Sequence, residues 1–188
     1  MTIIKLKILL FLFFVVPLFS IGSNSFLINS NLLVNNFDST NCKEYQFFKT
    51  KGITFDSTSN MKLYNEVFGW FGVPYRYGGK SKAGTDCSGF ASQIYKIVYN
   101  LNIGGSAGDI YRKLKTVVKS NLKEGDLVFF KINHNRISHV GVYLSNNKFI
   151  HATSYGKSVT ISDLNEPYYK RYYFSAARFN NCNISGLK

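Results

Sequence analysis

Between residues 125 and 179, short apolar stretches alternate with turn residues at a spacing too tight for crossover helices, which restricts this half of the chain to an antiparallel sheet. Gly125-Asp126 marks a turn into the continuous apolar run Leu127-Val128-Phe129-Phe130. Residues 138–144 and 148–153 then read as a hairpin joined through Ser145-Asn146-Asn147. Residues 159–161 can add a strand, 163–169 a helical turn and 172–179 a last strand. Upstream the period changes to 3.6: Met61, Tyr64, Val67, Phe68 and Phe71 share a helical face, with Asn60 as cap and Gly72 as stop. A Gly-rich loop over 73–84 leads to a second helix carrying Phe90, Ile94, Ile97, Val98 and Leu101, and 106–114 reads as a third, short one. Helices first and an antiparallel sheet after them define an α+β fold.

The N-terminus is organised differently. Lys5 and Lys7 precede an uncharged apolar run from Ile8 to Phe19, followed by Ser20, Gly22 and Ser23. That order of parts is a secretory signal peptide over 1–23, too short to span a bilayer comfortably and interrupted by Pro17. No cysteine follows it closely, so a lipoprotein is not expected. Export to the periplasm or beyond is. Residues 24–58 are polar, rich in Asn and Ser and without a sustained period, and read as an arm; 59–180 form the folded domain and 181–188 a tail. In an oxidising compartment a bond between Cys42 and Cys182 would tie the ends together and leave Cys87 free, while two unpaired thiols are the equal alternative.

The formal charge of the whole chain is +13, and loss of Lys5 and Lys7 would leave +11. Such a basic excess in an exported protein suggests attraction to anionic wall or membrane polymers, with a diffuse charge that only aids solubility as the equal alternative. Nucleic acid is not expected, because the lysines and arginines form no clustered stripe.

Cys87 stands in Thr85-Asp86-Cys87-Ser88-Gly89-Phe90, at the start of the second helix. Unpaired N–H groups and the positive end of the helix dipole favour a thiolate there, which lowers the thiol pKa and prepares it to attack a carbonyl. Such a nucleophile needs a base, and the chain has three histidines. His134, in Asn133-His134-Asn135-Arg136, reads as an exposed loop residue. His139 and His151 lie on the two hairpin strands, where register decides whether they meet. A two-residue loop would pair His151 with Val142 and send the imidazoles to opposite faces. A three-residue loop, Ser145-Asn146-Asn147, pairs Leu144 with Lys148 and sets His151 opposite Gly141. His139 and His151 then become diagonal neighbours about 7–8 Å apart at Cα, within reach of two rings. We predict the three-residue loop, with His139 as general base and His151 fixing its tautomer. One thiolate and two imidazoles would also suit zinc, but a structural site wants a fourth ligand and none is evident. No metal and no cofactor is expected.

The segments Tyr75-Arg76-Tyr77-Gly78-Gly79, Asp86-Cys87-Ser88-Gly89-Phe90, Leu122 to Phe130, His139 to Leu144 and Phe149-Ile150-His151-Ala152 together resemble the NlpC-type family of papain-like bacterial cell-wall cysteine peptidases. The resemblance implies a papain-like core, hydrolysis of an amide bond in peptidoglycan stem peptides, and Cys87, His139 and His151 as nucleophile, base and orienting residue. It also implies Tyr75 on the oxyanion side of the thiol, with Asp86 and Ser88 helping to hold the substrate. Asp86 could equally be only a helix cap and Ser88 only a first-turn residue. The Asp86 carboxylate opposes thiolate formation, so the helix end and a protonated His139 must outweigh it. A monomer is expected. A non-catalytic wall-binding protein, or an amidase or acyltransferase using the same three residues, remain the other readings.

Overall fold

A computed structural model describes residues 43–132 and 135–179. Within them the helices come first. Helix α1 spans Lys43–Thr50, α2 Met61–Phe68, α3 Cys87–Tyr99 and α4 Ala107–Arg112, with the two-residue strands β1 (Lys80–Ser81) and β2 (Gly84–Thr85) between α2 and α3. Strands β3 (Lys115–Val117), β4 (Leu127–Phe130), β5 (His139–Tyr143), β6 (Lys148–Thr153), β7 (Ser158–Asp163) and β8 (Tyr173–Arg178) follow, with helix α5 (Pro167–Tyr172) before the last. They form one sheet in the order β3-β8-β4-β5-β6-β7, every neighbouring pair antiparallel. The strand β3 had no counterpart in the sequence reading.

The sheet buries both faces. On one, Leu127, Phe129, Val140, Val142, Ile150 and Ala152 pack against Phe90, Ile94 and Val98 of α3 and Leu63, Tyr64 and Val67 of α2. On the other, Val128, Phe130 and Phe149 meet tyrosines, among them Tyr169 of α5. That is why β4 reads as a continuous apolar run instead of an alternating one. Each such side chain, fully removed from water, contributes about 1.5–3 kcal/mol.

Helix α2 begins as expected, with Asn60 Oδ1 accepting from Leu63 N at 3.1 Å. Its buried face is Leu63, Tyr64 and Val67, while Met61 and Phe71 sit at the exposed margin. The predicted polar arm needs a larger correction: its last part, residues 43–58, lays four apolar side chains on the core, Phe47, Phe48, Ile53 and Phe55. Phe48 and Ile53 are wholly buried, and Phe48 and Phe55 pack edge-on against Tyr64 at 5.1 and 4.4 Å. Two turns of helix with adjacent phenylalanines carry too short a pattern for a period to show. The leader 1–23, the rest of the arm, Cys42, His134, Cys182 and the tail lie outside the described residues. No described helix is long and apolar enough to cross a membrane.

The β5–β6 connection has the three-residue form. Val142 pairs with Ile150 and Tyr143 with Phe149, and Leu144 N donates to Lys148 O at 2.9 Å. Asn146 and Asn147 both take left-handed backbone, at φ 52° and 61°, which asparagine tolerates better than most residues. Asn146 Nδ2 also donates to Gly52 O at 3.0 Å, so the turn that follows α1 braces this connection.

Candidate active site

Helix α3 presents Cys87 as its first residue. Asp86, in extended backbone at φ −99° and ψ 179°, caps it: Oδ1 accepts from Gly89 N at 2.7 Å and from Ser88 Oγ at 2.9 Å. The other oxygen, Oδ2, accepts from Gly78 N at 2.8 Å and ties the Gly-rich loop to the helix end. Gly89 is required by close approach, because a Cβ there would lie 2.1 Å from Gly79 O. The sequence Asp-Cys-Ser-Gly thus builds a rigid helix start crossed by the preceding loop.

His139 and His151 share a sheet face, as the register demands. His139 Nε2 lies 2.7 Å from His151 Nδ1, with the rings nearly perpendicular. Gly141 makes the approach possible, since a Cβ at that position would meet Phe149 Cδ2 at 2.6 Å and His151 Cβ at 3.2 Å. His151 Nε2 continues the chain of contacts to Ser162 Oγ at 3.1 Å and Tyr169 Oη at 3.3 Å. Cys87 packs with the helix-side core, yet its sulfur receives the backbone N–H of Val140, the residue after His139. With His139 Nε2 engaged by His151, Nδ1 is the nitrogen left for the thiol.

Cys87, His139, His151 and Tyr75 open into one cavity of about 670 Å³, walled also by Tyr155, Glu166, Tyr168 and Tyr169. Asp86 and Ser88 do not line it; their polar atoms are engaged with each other and with backbone. Glu166 is the one carboxylate among the described lining residues.

Electrostatics correct the expectation of a lowered thiol pKa. Burial, with Asp86 adding to it, pushes the Cys87 thiol up to about 11, against the N–H groups of Val140, Ser88 and Cys87 itself, which pull it down. Burial pushes His139 down to about 4, with Asp86 opposing, and His151 well below its ordinary value, with His139 contributing. The resting pair is therefore a neutral thiol beside a neutral imidazole. The helix terminus offsets only part of the desolvation. Burial likewise raises the pKa of Tyr75, with Cys87 and Asp86 adding, so its hydroxyl stays protonated and able to donate.

Among the described residues no three His, Cys, Asp or Glu side chains are placed to hold a metal ion; the two buried imidazoles turn their facing nitrogens on each other. Ser162, Tyr169 and Glu166 were not singled out in the sequence. The alternation of Thr160 and Ser162 with Val159 and Ile161 put Ser162 on a polar face, but nothing local pointed to Tyr169.

A thiol at a helix start, sharing one cavity with a pair of facing histidines from an antiparallel sheet, defines a papain-like α+β domain of the cysteine-peptidase type. Residues 72–178 match the NlpC/P60 family, and the chain belongs to that family. Over 117 residues it is 39% identical to a protein of Escherichia coli (strain K12) named murein DD-endopeptidase MepS/murein LD-carboxypeptidase, covering 62% of this chain and 61% of that one. Over 118 residues it is 39% identical to murein DD-endopeptidase MepH of the same organism, covering 61% and 44%. The crystal structure of an NlpC/P60 family protein from Bacillus cereus ATCC 10987 superposes with a TM-score of 0.60 at 33% identity, covering 66% of this chain and 41% of that one. The similarity spans less than two thirds of each relative's own length.

Proposed function

We propose that this protein is an exported cysteine endopeptidase that hydrolyses an amide bond in peptidoglycan stem peptides. The observation that carries the reading is the 2.7 Å contact of His139 Nε2 with His151 Nδ1, which leaves His139 Nδ1 for Cys87 in the same cavity. The murein endopeptidase names of its relatives support the substrate class.

In the proposed reaction His139 Nδ1 takes the thiol proton as Cys87 Sγ attacks the substrate carbonyl carbon. The tetrahedral oxyanion is met by the Cys87 backbone N–H and the Tyr75 hydroxyl. Collapse passes the proton from His139 to the leaving amine and leaves a thioester on Cys87. Water, deprotonated by His139, then attacks the thioester, and the thiol and the free carboxylate are released. Because both resting partners are neutral, charge separation belongs to the attack itself, where the substrate has displaced water. A substrate ammonium would meet Glu166 in the cleft.

Incubation of the mature protein and its Cys87→Ala variant with defined muropeptides, with products identified by mass, tests the reading. Cleavage by the parent alone is expected. Cleavage that survives Cys87→Ala would overturn the mechanism. Binding without any cleavage would point to a wall-binding protein, and transfer to an added amine to an acyltransferase. For export, the expected start of the mature chain lies after residue 20, 22 or 23, read by N-terminal sequencing; an intact Met1 on the exported protein would refute cleavage.

A further inference from the structure

We propose that Ser162 and Tyr169 are positioning residues that jointly accept the proton on His151 Nε2 and so select the tautomer in which His139 can act as a base. The proposal rests on the cysteine-peptidase reading and adds two residues to it from strand β7 and helix α5.

The argument starts from counting protons. Two neutral imidazoles whose nitrogens lie 2.7 Å apart share a single proton between them. If that proton sits on His139 Nε2, then His139 Nδ1 carries a lone pair and can take the thiol proton. If it sits on His151 Nδ1, then His139 bears its own proton on Nδ1 and presents a donor to the thiol, which is useless for deprotonating it. Nothing in the contact itself prefers one arrangement. The choice is made at the far nitrogen of His151. When His151 Nδ1 accepts, Nε2 must carry hydrogen and needs an acceptor, because a buried N–H without one costs about 1–3 kcal/mol.

Two oxygens lie within reach of that nitrogen, Ser162 Oγ at 3.1 Å and Tyr169 Oη at 3.3 Å. Each hydroxyl offers lone pairs to an N–H on that nitrogen, and the Ser162 hydroxyl also lies against the Tyr169 phenol. The phenol is held by its ring, edge-on to Phe149 at 4.9 Å and to His151 at 5.4 Å and tilted steeply against Phe130 at 5.6 Å, so its oxygen is fixed by packing and not by a flexible stem. Both acceptors are neutral hydroxyls. A carboxylate in their place would draw positive charge onto His151, whereas hydroxyls leave it a neutral dipole, and the proton from the thiol stays on His139 where the leaving amine needs it.

The test uses the intact protein labelled with nitrogen-15 at histidine, together with Ser162→Ala, Tyr169→Phe and the double variant. Tyr169→Phe retains the ring and its packing. In nitrogen–proton correlation spectra His151 is expected as the Nε2–H tautomer in the parent and as a mixture with Nδ1–H in the double variant. Against a muropeptide, each single variant should lower kcat about two- to tenfold, and the double variant about ten- to a hundredfold, with KM within about twofold. Ser162→Thr in the Tyr169→Phe background keeps one hydroxyl and should hold kcat near the single-variant value. An Nδ1–H tautomer in the parent, or a double variant with the parent's kcat, would overturn the proposal. If Cys87→Ala still cleaves, the peptidase mechanism fails instead, and the tautomer spectrum continues to decide the positioning role by itself.

Discussion

Replacing Gly141 by alanine probes the site through its packing. The added Cβ would stand 2.6 Å from Phe149 Cδ2, where ordinary contact begins at 3.4 Å, so the ring must give way by about 0.8 Å. It has little freedom to do so. Phe149 is wholly buried and touches Phe130 at 5.2 Å and His151 at 4.8 Å between ring centres, and Ile150 O and His151 Cβ crowd the same methyl at 3.2 Å. Overpacking of this kind costs about 1–3 kcal/mol, which lowers the melting temperature by about 3–10 °C in a domain of this size. The displacement is passed to His151, and an error near 1 Å in a catalytic group can cost about a hundredfold in rate. We expect kcat on muropeptide to fall about ten- to a hundredfold while KM changes little. Thermal melts and steady-state kinetics on the purified variant measure both. A Gly141→Ala protein with the parent's melting temperature and kcat would refute the claim that this glycine makes room for the histidine pair.

Stability should fall on acidification below about pH 6.5 and continue to fall toward pH 4. In that window the unfolded chain binds a proton that folded His139 refuses, so the slope of unfolding free energy with pH is positive. The full effect is about 3 kcal/mol, with His151 acting in the same direction; urea titrations giving a flat profile between pH 6.5 and 4.5 would exclude it. Asp86→Asn keeps the oxygen that caps α3 and removes the charge, but sets an amide N–H against Gly78 N, so stability should fall by about 0.5–1.5 kcal/mol. The thiol should become more acidic, read as alkylation by iodoacetamide that rises at lower pH than in the parent; an unchanged alkylation profile would discard the Asp86 contribution. Arg178→Ala strips the guanidinium from Asp126, whose side chain is 2% exposed and accepts from Arg178 Nε and Nη2 at 2.6 and 2.7 Å. About 2–4 kcal/mol of stability should be lost, and a loss below about 0.5 kcal/mol, the ordinary scatter of surface changes, would show the pair to be incidental. If the basic charge draws the protein to anionic wall polymers, pelleting with isolated wall material should drop steeply with added salt; salt-independent pelleting would remove that targeting idea.

The site was legible where its geometry is local. Asp86, Cys87 and Gly89 are neighbours in sequence, and their cap, thiol and close approach all follow from a few consecutive residues. The His139–His151 contact was legible for a related reason, since a three-residue turn with two asparagines and a glycine at 141 fix a register within fifteen residues. Burial was not legible. The pKa of Cys87 depends on how much of α3 and β5 closes over it, and that desolvation outweighs the N–H groups around the sulfur. Whether Asp86 and Ser88 open to the cleft was not legible, because a helix start can face either the cleft or its own loop, and here the loop's Gly78 N–H binds the carboxylate. Phe47, Phe48, Ile53 and Phe55 went unread as core because their partners, Tyr64 and Phe68, come from another helix.

The thiol comes from the helical half of the chain, and His139, His151, Ser162 and Tyr169 all come from the sheet half. A molecule with only its first helices in place holds a cysteine at a helix end, with no base to receive its proton and no Val140 amide beside its sulfur. Contacts so distant in sequence form late, because closing the intervening chain is entropically costly. Folding itself is then the step that supplies the thiol with its base, since burial alone only makes the sulfur harder to ionise.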